Sequence, residues 1–560
     1  MNYELVWYKE ESNNSKKLFR LSEKTDEKEK FEYYSKNDNN SIFNLTKMTY
    51  VNIPSIMNVL EERYKINKIY TFNGKILISI NPFKKINIYS DLDNIDTEQP
   101  HVYSLAETAY LNSKYKNQSI LVSGESGSGK TENTKYILNY LCKKYSVSDI
   151  LSKRIIGCNY LIELFGNAKT LRNDNSSRFG KFIQLFINND QIKGGKITNY
   201  LLEKSRVSFV NKLEKTYHIF YLSLMDHDKL KKYDFKSINE YVVLNNSNFN
   251  YTIDEFENID KLFEIMNNFN FKESEIDNIF YKIKIILEFL NITSLEELKT
   301  KINNHKEVLN LLNLEPTQLL QSLTTKTFKM GLETIVKNLE INEILINIKS
   351  FCEDLYENNF NELINKINTS LGDEGTRYIS ILDIFGFEIF ENNGYEQLCI
   401  NYTNEILQQI YNQYIFENEQ IEYEKENIDW KKIEYKTNDS IVKLFNGKIS
   451  IFAIINEQSI LGAGKDEIIF NSITKNLNKE LIYCDKKTKI LKKFMVKHYA
   501  GPVEYTVKNY VRKNRIKSKS KKIKTNLHYF VNQLSLLKKE LDKNKCYFIR
   551  CIKPNSENTS

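Results

Sequence analysis

No two cysteines in this sequence stand in a C-x-x-C spacing. The seven present (Cys142, Cys158, Cys352, Cys399, Cys484, Cys546 and Cys551) are odd in number and scattered, so neither a disulfide framework nor a zinc site is supported and buried free thiols are expected. The six histidines (His101, His218, His227, His305, His498 and His528) show no metal-ligand spacing either. No apolar run approaches the ~20 residues of a membrane span. The N-terminus, MNYELVWYKEE, lacks the basic-then-apolar order of a secretory signal. A cytosolic protein is the expectation.

Excess charge is also missing from most of the chain. The formal net charge of +8 arises in one stretch, where Arg512, Lys513, Arg515, Lys517, Lys519, Lys521, Lys522 and Lys524 follow one another with no acidic residue between them. Without these the chain is neutral, which implies a local partner with a negative surface. The run has no interleaved aromatics for base stacking, so a nucleic-acid partner is not expected.

What the sequence does have is SILVSGESGSGKTENTKY, from Ser119 to Tyr136. Gly124, Glu125, Ser126, Gly127, Ser128, Gly129, Lys130 and Thr131 satisfy G-x-x-x-x-G-K-[ST]. Glycines there let successive backbone N–H groups turn around a phosphate, a helix beginning near Lys130 adds the positive end of its dipole, and the Lys130 ammonium reaches the outer phosphates. Thr131 would ligate Mg²⁺. A plain Gly/Ser turn is the alternative, but Ile120, Leu121 and Val122 before the motif and Ile137, Leu138 and Leu141 after it supply the strand-then-helix setting that the motif requires.

Other segments carry weaker signals. Residues 1–40 fit either a few strands of a small barrel or a poorly ordered arm. Lys68-IYTF and Lys75-ILISIN read as a strand pair around Asn73-Gly74. The loop Asn81 to Tyr89 could hold a flat ring or be a plain connection. In Asn173 to Lys181, two hydroxyls, two amides and a guanidinium precede a strand, a polar set that is costly to bury unless a charged group satisfies it. Residues from about 240 to 370 read as amphipathic helices. Tyr378-ISILDIFGFE reads as a buried strand ending in Asp383, where α/β nucleotide sites place a Mg²⁺ partner. From about Tyr395 to Glu424 the i+4 stripe Leu398, Tyr402, Ile406, Ile410 and Tyr414 predicts one helix of roughly 45 Å, which periodicity alone does not distinguish from a core helix.

Together these motifs resemble the head of a myosin, the actin-based motor. The resemblance is carried by NPFKKINIY, GESGSGKTENTKY, FGNAKTLRNDNSSRFGKF, YLLEKSRV, YHIFY, DIFGFEIFENNGYEQLCINYTNEILQQIYN, HYAGPVEY and FIRCIKPN, in the family's order from about Leu45 to Asn555. Kinesins share a similar phosphate loop, but the NSSRFGK and DIFGFE segments are of the myosin type.

The resemblance implies an α/β P-loop NTPase motor fold. Its central mixed, twisted β-sheet of about seven strands is flanked by helices, and large helical insertions form an actin-binding cleft. It implies an N-terminal segment over 1–40 and a head over 41–560. Within the head, 41–240 would be the nucleotide core, 241–382 an upper helical subdomain, 383–545 the second switch, relay helix and lower subdomain, and 546–560 the last core strand. ATP and Mg²⁺ are the implied ligands and ATP hydrolysis the implied reaction. Asn81, Pro82 and Tyr89 would hold the adenine, and Gly124 to Thr131, with Glu132, Asn173, Asn175, Ser176 and Ser177, would surround the phosphates. Lys130 would neutralise the β- and γ-phosphates. Thr131 and Ser177 would ligate Mg²⁺ directly, and Asp383 through water. Ser176 and the Gly386 N–H would lie at the γ-phosphate and attacking water, with Arg178 pairing with Glu388 as the site closes. Lys517, Lys519, Lys521, Lys522 and Lys524 would face actin filaments, in a cytoplasmic, cytoskeleton-associated setting.

The family's thiol helix, converter and light-chain-binding lever do not follow FIRCIKPN here, so light chains are expected only of a longer chain. The stretch from His498 to Phe530 is short, with Ile516 where the family usually carries Asp, and the helix before Ile367 lacks the Arg-Asp-Ala-Leu-Ala-Lys string.

Overall fold

Strands rich in Ile, Val, Leu and Phe, buried on both faces, form the spine of the computed structural model. It describes residues 5–9, 19–23, 31–35, 39, 41–93, 95–171, 173–211, 213–226, 228–245, 259–330, 333–372, 375, 377–461, 464–515, 525–555 and 557. The central sheet contains β1 (Tyr70–Asn73), β2 (Ile76–Ile80), β3 (Gln118–Gly124), β4 (Gly180–Asn188), β5 (Gln191–Tyr200), β6 (Tyr378–Asp383) and β7 (Lys545–Ile552). Their order is β5-β4-β6-β3-β7-β2-β1, seven strands in all. The four inner strands β6, β3, β7 and β2 run parallel, with antiparallel partners at both edges. This is the expected mixed sheet.

β6 is parallel to β3 with Asp383 opposite Val122. The strand ending in Asp383 therefore lies beside the strand that opens the phosphate loop, despite the long insertion between them. Alternation along each strand divides the apolar interior in two. Ile120, Val122, Ile379 and Ile381 enter one core, whereas Leu121, Leu382 and Phe548 enter another.

The first core is covered by α1 (Lys130–Tyr145), α2 (Asp149–Gly166) and α3 (Ile341–Leu371). The second is covered by α4 (Tyr395–Asn412) and α5 (Asn526–Lys543). The helix expected over Tyr395 to Glu424 is interrupted by a π-helical turn, Gln413–Glu417, before it resumes as Asn418–Lys425. Such turns insert a residue into the helical ladder and shift side chains around the axis. Here the Tyr414 hydroxyl accepts the Cys546 N–H at 3.0 Å, fastening the turn to the start of β7.

The region expected to be helical from about 240 to 370 also holds an antiparallel hairpin, Thr325–Met330 with Glu333–Asn338. In the hairpin β1–β2 the turn residues are Gly74 and Lys75, one step beyond Asn73-Gly74, with Gly74 at φ 58°. Leu5–Lys9, Phe19–Glu23 and Phe31–Tyr33 form a small antiparallel sheet. Six of the seven cysteines are buried free thiols and Cys484 is half-buried. Among the described residues no helix is long and apolar enough to cross a membrane. Lys517, Lys519, Lys521, Lys522 and Lys524, like Ile516, lie outside the described residues.

Candidate nucleotide site

The phosphate loop leaves β3 at Gly124, the centre of a tight backbone crossing. A Cβ there would lie 2.4 Å from the Cys551 carbonyl oxygen and 2.5 Å from Ser128 Oγ, and φ is +155°. Gly127 and Gly129 also have positive φ, at 78° and 88°, so the loop curls inward before α1 begins at Lys130. Lys130 Nζ donates to the carbonyls of Gly124 at 2.9 Å and Glu125 at 2.7 Å. Burial pushes its ammonium down from the usual lysine range, and Asp383 opposes that shift. Ser128 Oγ donates to Glu125 O at 2.8 Å, Ser126 is half-buried in the loop, and Thr131, also half-buried, stands in the first helical turn. Glu132 is exposed and pairs with Lys135 at 3.1 Å.

Asn81, at the end of β2, donates from Nδ2 to Gly127 O at 2.9 Å and accepts the Phe83 N–H at 3.0 Å across Pro82. The segment expected to hold the base is thus tied directly to the phosphate loop. Tyr89 stacks on Tyr136 (centroids 3.7 Å, 11°) and shares a hydroxyl bond with Tyr70 at 2.9 Å. Its ring is packed by protein aromatics, and Tyr103 donates to its carbonyl at 3.3 Å.

A hairpin of Asn167–Thr170 and Asn173–Ser177 carries the polar segment Asn173 to Lys181, which corresponds to the first switch of the resembled family. Asn173 Oδ1 accepts the Asn175 N–H at 3.1 Å, and Asn175 Oδ1 accepts from Asn167 Nδ2 at 2.8 Å, so short polar side chains hold the turn. Ser176 Oγ accepts from Arg178 at 3.2 Å. Arg178 then reaches Glu388, with its two terminal nitrogens 2.8 and 3.4 Å from the two carboxylate oxygens. Both side chains are almost fully buried (1% and 3% exposed), so the pair is a charge-assisted bridge in a water-poor setting.

Gly386 lies against the phosphate loop itself. A Cβ added to it would stand 2.2 Å from the Gly124 carbonyl oxygen. Glu388 is held by its main chain, because Asn401 on α4 accepts its N–H and donates to its carbonyl, each at 2.9 Å.

Sequence reading passed over Glu203 and Asn401. Glu203 accepts from Arg178 at 2.6 Å and from Arg206 at 2.9 Å. Burial alone would raise its carboxyl, but the two guanidiniums outweigh burial and hold it at about 2. The available signal was the Glu203/Arg206 spacing just after β5. A carboxyl lowered in the fold contributes stability above its ordinary value near 4.5, and loses it as pH falls through about 2. Glu203→Gln is expected to cost roughly 2–4 kcal/mol at neutral pH. Its loss of stability on acidification should be shallower than wild type between those values, as read from denaturant midpoints across a pH series.

Ser177 Oγ and Asp383 Oδ2 are among the buried oxygens that accept no hydrogen bond, although the Lys181 ammonium stands 3.3 Å from the latter. A hydroxyl and a carboxylate with free lone pairs, together with the Thr131 hydroxyl in the first turn of α1, are a donor set suited to a hard, oxygen-seeking cation such as Mg²⁺. The structure thus brings the phosphate loop and both switches into one site, with Asn81 joined to it.

The family model described as "Myosin head (motor domain)" matches residues 42–524. "Myosin-1" of Saccharomyces cerevisiae is 36% identical over 522 residues, covering 84% of this chain and 27% of that protein. A probable myosin heavy chain of Encephalitozoon cuniculi is 35% identical over 567 residues (92% and 33%), and "Myosin-4" of Arabidopsis thaliana is 34% identical over 573 residues (91% and 50%). The chain therefore spans from about a quarter to half the length of these relatives. With its sheet order, phosphate loop and paired switches, the chain belongs to the myosin motor-domain family.

Proposed function

We propose that this chain binds and hydrolyses MgATP and couples its nucleotide state to actin filaments, as an actin-activated motor ATPase. The observation that carries this reading is the Arg178–Glu388 bridge. It joins the first switch to the second over a phosphate loop against which Gly386 is already packed. Thr131 and Ser177, with Asp383 through water, would hold Mg²⁺, which when bound supplies positive charge to the phosphate oxygens. Lys130 exchanges its bonds to the Gly124 and Glu125 carbonyls for the β- and γ-phosphates, and Asn173 contacts phosphate oxygens. Ser176 and the Gly386 N–H orient the γ-phosphate and the attacking water. The bridge excludes bulk water and fixes both switches, so rate comes from positioning and charge stabilisation.

Coupling is supported by a cleft of about 1430 Å³ whose lining includes Arg178 and Glu203. One wall includes Glu353 of α3 and the other Glu396 of α4. Ser205 donates across it to Glu396 at 2.7 Å, and Arg512 lies 3.6 Å from Glu353. Movement of the cleft walls therefore reaches the switch arginine through a few side chains. Lys517 to Lys524 supply the positive charge for an acidic filament, an attraction that weakens with salt.

The test is steady-state MgATPase activity with and without filamentous actin at low salt. Stimulation is expected, and neutralising Lys519, Lys521, Lys522 and Lys524 together is expected to weaken co-sedimentation with actin. Basal turnover without stimulation would favour instead an ATP-binding, non-motile actin-interaction module, the reading suggested by the short stretch from His498 to Phe530.

A further inference from the structure

We propose that Lys181, a residue with no role in the site as described so far, positions Asp383 for the cation. The proposal rests on the reading that Asp383 serves Mg²⁺ through water. Lys181 is the residue directly opposite Asp383 where β4 pairs with β6. Their side chains are 2% and 3% exposed, and the ammonium stands 3.3 Å from Asp383 Oδ2. Lys181 also lies 3.8 Å from Oε1 of Glu163, a residue of α2 that is equally buried. The second oxygen of Glu163 is 3.0 Å from Lys135, one helical turn past Thr131 on α1. A line of alternating charge, Lys135–Glu163–Lys181–Asp383, thus runs from the phosphate helix to the end of β6.

This arrangement is a poor device for stability. Glu163, Lys181 and Asp383 are all buried and each is desolvated at a cost, so an apolar cluster of the same volume would serve as well or better. Its hydrogen-bond geometry points to another use. Lys181 donates to Asn159 Oδ1 at 3.3 Å, while Asp383 Oδ2 has no hydrogen-bond partner. The ammonium attracts Asp383 without capping it, so the carboxylate is held in place with lone pairs still available to a cation's water. Without Lys181, Glu163 and Asp383 would be two neighbouring buried carboxylates with the charge between them removed. Groups that orient metal ligands from behind typically change metal affinity 10–100-fold when removed.

Lys181→Met, Lys181→Arg and the double variant Lys181→Met/Glu163→Gln are compared in the full chain. The probe is a fluorescent, non-hydrolysable ATP analogue, bound in EDTA and then across a titration of free Mg²⁺. All variants are expected to bind the analogue in EDTA within about threefold of wild type. The Mg²⁺ concentration for half-maximal effect should rise roughly 10-fold or more in Lys181→Met. It should stay within about threefold of wild type in Lys181→Arg, and the double variant should recover at least half of the loss on a logarithmic scale. An unchanged Mg²⁺ midpoint in Lys181→Met would overturn the proposal. So would an equal loss in EDTA and in Mg²⁺, which marks a purely structural role. Wild-type protein that binds the analogue with no Mg²⁺ dependence would instead remove the reading of Asp383 on which the proposal stands.

Discussion

Glu388→Gln is expected to lower kcat for ATP hydrolysis by roughly 10²–10³-fold while leaving nucleotide affinity within about threefold. The two halves of this expectation come from different atoms. Glutamine keeps the size of the side chain, and the main chain at 388 remains clamped by Asn401, so the loop is not released. What disappears is the charge that draws Arg178 across the site. Arg178 retains Glu203 at 2.6 Å, so the guanidinium is not left buried and unpaired and the fold should survive. The first switch then loses its fixed distance to the second, and Ser176, bonded to Arg178 at 3.2 Å, loses its orientation. Affinity is expected to depend on Lys130, the glycine loop and Asn81, whose hydrogen bonds to one another do not involve Glu388. Analogue binding and single-turnover hydrolysis separate the two steps. A variant that hydrolysed ATP at the wild-type rate would show that the bridge is only a structural tie.

How far the site was legible in the sequence depended on the range of the interaction concerned. The phosphate loop was readable because its chemistry lies within eight consecutive residues between a strand and a helix. Asp383 was readable as a strand end, but its place beside β3 was conditional until the sheet order was known. Arg178 and Glu388 came as a pair only through the family resemblance, because nothing local in either segment selects the other. Glu203 was missed although Arg206 lies three residues on, because its other partner, Arg178, meets it only in the folded chain. Lys181 closed the polar segment that was read as preceding a strand, and only the β4–β6 register places it opposite a carboxylate. The i+4 stripe of α4 gave the helix, whereas the π turn answers to a tertiary contact, the Tyr414 hydroxyl on the first residues of β7. Tyr89 was expected to hold the adenine, and what the sequence did not show is that its ring stacks on Tyr136 of α1.

Gly386→Ala carries the largest expected effect on hydrolysis, and backbone geometry alone sets its direction. The added methyl would meet the Gly124 carbonyl oxygen at 2.2 Å, and the carbonyl carbon and Cα of Glu125 at 3.0 Å. These are backbone atoms that have little room to yield. Gly124 O accepts the Lys130 ammonium at 2.9 Å, and Gly124 is itself boxed in by Cys551 and Ser128. The second switch must therefore retreat, by on the order of 1 Å to restore ordinary contact, a displacement that can cost about 10²-fold in a positioned reaction. Two separate groups move with it: the Gly386 N–H leaves the position proposed for the γ-phosphate, and Glu388, two residues on, is drawn from Arg178. Hydrolysis should consequently fall further than in Glu388→Gln, by roughly 10³-fold or more, since both the donor and the bridge are lost. Nucleotide binding should persist, because the cradle made by Gly124, Gly127, Gly129 and Lys130 is untouched when the switch stands back. Thermal stability should fall, because drawing Glu388 away leaves a buried carboxylate without its guanidinium. The expected signature is tight binding of ATP with negligible phosphate burst and no acceleration by actin filaments. A burst of wild-type amplitude would mean that the second switch does its work without approaching Gly124, and the closed geometry of this site would not be the hydrolytic one.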